Sequence, residues 1–348
     1  MGKKIRQNVT ILLNRLGEYA FPNGKPTLDW SGGGGDDPEV PTYAVQKNIG
    51  TGLSASGGDD DVSDGGPLEV TISVINDLYI IDEDNVEVTM GGSPVQGAFD
   101  AATGKITIAE VYGEVVINVP SMTYVGYGET NSPLVSMFDG KNRGGTTGQW
   151  KDLIVQTRIL TMTNCTENSD NVYFNGQDAK AVLDDADAGV DIGAADGAIE
   201  CVFKMPTLSS SAFNFPVTNH PKSGTRLLLC GLTNSSGTIL ASCYQGFQSG
   251  DSGVPNAWVI TGDYTKSYLS MSNTRAYHNG AELSRANAPY SGLASSNSRL
   301  AFFSFKGSNG TQYYREGTLY CVRFYSRPLT VDEIEKNYKV DRKRFNLQ

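Results

Sequence analysis

The stretch GTLYCVRFYSRPLTVDEI, residues 317–334, decides the fold. Leu319, Cys321 and Arg323 alternate with Tyr320, Val322 and Phe324, the period-two pattern of a β-strand packed on both faces. Pro328 ends the run. Thr330 stands where an N-cap belongs and Glu333 follows three residues on, the spacing of a capping box. A long strand, a turn and a short helix are therefore predicted in that order.

Working upstream, the same kind of apolar run recurs with Gly, Ser, Asn and Asp between copies. Val172–Asp178 reads VYFNGQD, Ile199–Lys204 reads IECVFK and Tyr277–Leu283 reads YHNGAEL, whose Asn279-Gly280 pair suits a tight type I′ turn. Further runs lie at 225–230, 258–260 and 299–305. More than 200 residues of this texture indicate one large sandwich or jelly roll.

Taken together, these segments resemble the laminin-G-like, concanavalin A-like superfamily. Residues 317–334 are similar to its last strand and exit helix, 172–178 with 199–204 to its opening strands, and 277–283 to its internal hairpin. The resemblance implies a lectin-type sandwich over residues 133–348. Many relatives carry an acidic residue where this chain has Tyr320, so no function of that carboxylate is carried over.

Residues 41–120 hold a second β pattern: Leu68–Val74, Val86–Met90, Lys105–Ile108 and Val115–Val119, with Gly91-Gly92-Ser93 and Ala102-Thr103-Gly104 as hairpin connections. The segment VEVTMGGSPVQGAFDAATGKITIAEVYGEVVINV resembles the bacterial immunoglobulin-like modules of surface and phage structural proteins, which serve as spacers as often as binders. Residues 121–132 read as a tyrosine-bearing linker. Residues 31–40, opening on Ser-Gly-Gly-Gly-Gly, read as a flexible one. Ahead of them Val9, Leu12, Leu13, Leu16 and Ala20 sit at helical spacing within residues 1–30, too small an apolar face to fold alone. That segment is either an anchor into a larger assembly or a helix packed on its own chain. The fold class expected is thus all-β: an immunoglobulin-like sandwich followed by a concanavalin A-like jelly roll, with a short N-terminal helical anchor.

Composition narrows the function. The chain has 348 residues with 40 glycines and 17 tyrosines, and a net charge of −10 that disfavours phosphate binding, so no nucleic-acid partner is expected. No run of about 18 apolar residues is present, so no membrane-spanning helix is expected either. The basic start lacks an unbroken apolar core and does not read as a signal peptide. Five scattered cysteines show no CxxC spacing and read as buried thiols of a reducing compartment.

Three kinds of site are weighed. The stretch from Tyr244 to Tyr268 offers Tyr244, Gln248, Asp251, Asn256, Trp258, Asp263, Tyr264 and Tyr268, the mix of rings and polar groups that reads a sugar; Tyr244, Trp258, Asp263, Tyr264 and Tyr268 are the named carbohydrate candidates. Asp184, Asp185, Asp187 and Asp191 crowd a Gly/Ala loop that offers oxygens to calcium, or is simply solvated; no other cofactor is expected. A catalytic carboxylate pair is sought at Asp82 and Glu87, which fall on opposite strand faces. His220 and His278 sit in turn-like contexts without a nucleophile elbow, so the expectation is no catalytic residue and no enzyme.

The resemblances imply a bacteriophage head-fibre, decoration or tail-associated protein, attached to other virion proteins through its N-terminal segment and displaying a lectin-like head to a cell-surface glycan. Trimers are common among such fibres. The location expected is the virion, or alternatively a bacterial surface or secreted one. The rivals are a carbohydrate-active enzyme or accessory binding module on the same sandwich, and a purely architectural virion protein.

Overall fold

The computed structural model describes residues 40–58, 60–183, 197–209, 213–220, 227–247, 256–272, 274–286, 299–306 and 311–347. The expected N-terminal anchor, its Gly-rich linker up to residue 39 and the acidic loop with Asp184, Asp185, Asp187 and Asp191 lie outside these residues.

The chain is all-β, with a helix at its C-terminal end, Val331–Phe345. Its first module is a small sandwich. One sheet runs in the order Asp61–Ser63, Thr42–Ile49, Val115–Val119, Glu87–Met90, Ser93–Pro94; the other runs Leu53–Gly57, Leu68–Val74, Lys105–Ile108, Phe99–Asp100. Alternation places Val70, Ile106, Val115 and Ile117 fully inside, between the sheets. Thr89 pairs with Pro94 and Met90 with Ser93. Gly91 and Gly92 connect them at φ of +56° and +77°, backbone that a β-carbon would strain. The first strand, Thr42–Ile49, pairs in parallel with the last, Val115–Val119.

The second module packs two larger sheets face to face. In one, Glu316–Tyr325 is central, flanked by Ala198–Lys204 on one side and by Leu134–Asp139 and Val172–Asn175 on the other. The other has nine strands, from Gln149–Lys151 at one edge to Ser284–Arg285 at the opposite edge. The core between them includes Phe138, Trp150 and Phe302, whose rings meet edge to face at centroid distances of 5.5–6.4 Å. Each such pair adds about 0.5–1.5 kcal/mol beyond its buried area.

Two expectations are corrected here. Alternation along the decisive strand breaks, because the register against Ala198–Lys204 jumps from Leu319 to Cys321 and leaves Tyr320 as the extra residue of a bulge. Leu319, Val322 and Phe324 face the sandwich core, whereas Tyr320, Cys321 and Tyr325 face the helix. Residues 121–132 are not a free linker throughout: Ser121–Thr123 is a strand paired with Tyr79–Ile81, and Tyr124 is fully buried. Residues Tyr43–Gln348 accordingly form one unit.

Candidate functional site

The outer face of the sheet around Glu316–Tyr325 carries the C-terminal helix, packed through Ile334, Val340 and Phe345, with an ionic network buried within that apolar contact. Arg323, fully buried, donates from Nε to Glu200 at 3.0 Å and from its two terminal nitrogens to both oxygens of Asp341 on the helix. Glu200 also accepts from Tyr268, from Tyr325 at 3.2 Å and from Asn337 at 2.9 Å. Arg344 reaches back to Asp139 at 2.7 and 3.1 Å and donates to Tyr124, whose hydroxyl donates to Asp341 at 2.6 Å. Burial raises the Glu200 pKa and Arg323 opposes that rise. The helix begins as its sequence predicts, with the Thr330–Glu333 capping box closed. Arg327 binds Glu333 with both terminal nitrogens and, helped by the Thr330 amide, lowers its pKa to about 2 against the opposing effect of burial.

This network explains what becomes of two carbohydrate candidates. Tyr268 is fully buried and spends its hydroxyl on Glu200; Trp258 is 1% exposed, inside the sandwich core, with the Arg285 guanidinium 5.3 Å from its ring centre. A ring without an open face cannot stack on a sugar, so both are corrected from ligand contacts to core residues. Asn256 is likewise buried and accepts from Arg285 at 2.6 Å. The side chain of Tyr244 and all of Gln248 and Asp251 lie outside the described residues.

Asp263 and Tyr264 remain together at a turn. Asp263 is exposed, and one of its oxygens accepts from the amide and the hydroxyl of Thr265, both at 2.8 Å, which lowers its pKa. Tyr264 is half-buried, with its hydroxyl accepting from the Leu208 amide at 3.0 Å. Behind them Ser267 Oγ lies 2.8 Å from His278 Nε2. That hydroxyl donates its one proton to the Tyr264 carbonyl, so the imidazole donates to it. Ser267, fully buried, is thus not activated as a nucleophile. Burial holds the His278 pKa down against the opposing charge of Asp263.

The turn between Asp82 and Glu87 is exposed at Glu83, Asp84 and Asn85. Glu83 and Asp84 form ion pairs with Lys343 and Lys339 of the C-terminal helix. Among the described residues no group of three His, Cys, Asp or Glu side chains is placed to hold a metal ion. The nine strands of the second large sheet contain no Asp or Glu, so the carboxylate pair of the enzymatic rival is not found on them. Sequence reasoning missed Glu200, Asp341 and Asn337, whose polar side chains sit at apolar-looking or helical-surface positions; the signal was Arg323 itself, a charge in a strand otherwise fit for burial.

No family model matches the chain, and no curated protein does. Among solved structures it is similar to Trypanosoma rangeli sialidase in complex with sialic acid, at 14% identity and a TM-score of 0.44, over 62% of this chain and 34% of that one. The same sialidase with 2,3-difluorosialic acid matches at 15% and 0.44, over 62% and 33%. The botulinum neurotoxin type G receptor-binding domain matches at 12% and 0.40, over 60% and 51%. The chain spans about a third to a half of the length of these proteins. The expectation that the chain is no enzyme is corrected by these matches, since sialidases are enzymes and stand among them.

Proposed function

We propose that this chain is a binding and display protein, in which residues 41–120 are a spacer and residues 133–348 a recognition head for a surface glycan. The observation that carries the reading is the turn at Asp263 and Tyr264, which sets an exposed carboxylate beside a half-buried ring. Carboxylates and turn amides read sugar hydroxyls, and rings pack on the apolar sugar face. The pairs from the helix to Glu83 and Asp84 support the spacer role, because they tie the head to the first module. In this reading residues 1–30 attach the spacer to a larger particle such as a bacteriophage virion, and a trimer would multiply weak sites.

The test is a glycan and bacterial-polysaccharide array probed with the full chain, with and without Ca²⁺. Selective retention that falls in Asp263→Ala supports the head. No retention under any condition overturns it. Release of free sugar from retained spots, read in the same assay, would assign hydrolysis to the site.

A further inference from the structure

The C-terminal helix covers the outer face of its sheet only from Ile334 onward. Ahead of it the chain crosses by Pro328 and Leu329 and leaves a cleft of about 250 Å³. That is a little below the roughly 300–1,000 Å³ of drug-sized ligand pockets, which matches a ligand the size of one sugar ring.

Its floor is polar. Ser270 and Tyr277 are cross-strand partners, 2% and 3% exposed. The Ser270 hydroxyl has no hydrogen-bond partner among the described residues, and the Tyr277 hydroxyl has only a long approach from Arg275, at 3.5 Å. Neither oxygen is sealed away without a partner, so both are open to hydrogen bonds from an occupant of the cleft. Arg275 stands at the rim, its Nε 3.7 Å from Glu282, too far for a hydrogen bond. The opposite wall is apolar, made by Leu329 and Ile334.

We infer that this cleft binds an acidic sugar, its carboxylate on the Arg275 guanidinium, its hydroxyls on Ser270 and Tyr277, and its C–H face on Leu329 and Ile334. A guanidinium fork matches a carboxylate, a preference a neutral sugar leaves unused. The inference rests on the glycan-binding reading only for the class of ligand; the cleft is a separate place from the Asp263 turn.

The experiment titrates the full chain with glucuronate, galacturonate, glucose and galactose, followed by saturation-transfer NMR and calorimetry. Arg275→Gln removes the charge, and Thr274→Trp, at an exposed position, blocks the mouth. The uronates are expected to bind about tenfold more tightly than the neutral sugars, and Arg275→Gln to erase that preference. Thr274→Trp should abolish binding. No uronate binding at about 10 mM, which leaves a cleft filled by water only, overturns the proposal, as does uronate binding indifferent to both variants. Array retention that survives Thr274→Trp without uronate binding sinks the cleft and keeps the head. Cleft binding beside an empty array does the reverse.

Discussion

Replacing Arg323 with Met keeps most of the side-chain volume and removes the charge on which the C-terminal helix is seated. Three donor contacts disappear, one to Glu200 and two to Asp341, and both carboxylates stay buried. Breaking a buried ionic cluster by removing one partner costs about 3–5 kcal/mol. For a unit the size of Tyr43–Gln348 that corresponds to a fall in Tm of roughly 5–8 °C. The deficit should depend on pH. Burial already raises the Glu200 pKa above its unfolded value, and losing Arg323 raises it further. A raised carboxyl pKa means the folded state holds the proton more tightly, so its stabilising contribution is present at low pH and lost as pH rises through the folded value. Arg323→Met should therefore lose more, relative to the parent, at about pH 8 than at about pH 5. Urea titrations at the two pH values measure this, and hydrogen exchange should show residues 331–345 losing protection first. A loss below about 1 kcal/mol, or one that does not grow with pH, refutes the account of the network as the seat of the helix.

Four further outcomes follow from the same structure. Trp258→Ala should destabilise by about 3–5 kcal/mol, visible as a lower denaturation midpoint, because the ring fills the core. Thr330→Ala should cost about 1 kcal/mol through the lost cap, and the Glu333 part of helix stability, present above the usual glutamate pKa, should fade as pH falls towards its folded value of about 2, followed by circular dichroism. Lys339→Ala with Lys343→Ala should lower Tm only slightly at low salt and not at all at about 1 M salt, since these pairs are exposed. Alkylation at about pH 8 should leave all five thiols of the folded chain unmodified, because four are buried and burial pushes the Cys165 thiol up to about 12, and should label five after denaturation, counted by mass.

Local chemistry made much of this fold legible. The Thr330–Glu333 box, the Gly91-Gly92 hairpin and the Asn279-Gly280 turn, at φ of +50° and +81°, each depend on neighbours in sequence and appear where the residues put them. What was not legible depends on partners far along the chain. Nothing next to Glu200 announces Arg323 or Asn337, and a strand pattern of two cannot show that Tyr320 is a bulge. The sugar candidates failed for a related reason. Trp258 and Tyr268 have the composition of a binding face, but only the packing of the second sheet and of the helix decides that neither ring meets solvent. Ser121–Thr123 looked like a linker because three residues are too short a run to register as a strand until Tyr79–Ile81 is placed beside them.

The parallel pairing of the first and last strands of the small sandwich has a mechanical consequence. A pull entering at Tyr43 and leaving at Val119 draws the two strands past each other along their length. The five facing positions from Val45 with Val115 to Ile49 with Val119 then bear the load side by side, and must slip together. An antiparallel pair drawn apart from one end would instead open one rung at a time. Whatever hangs from this module is tethered by a clasp that resists shear.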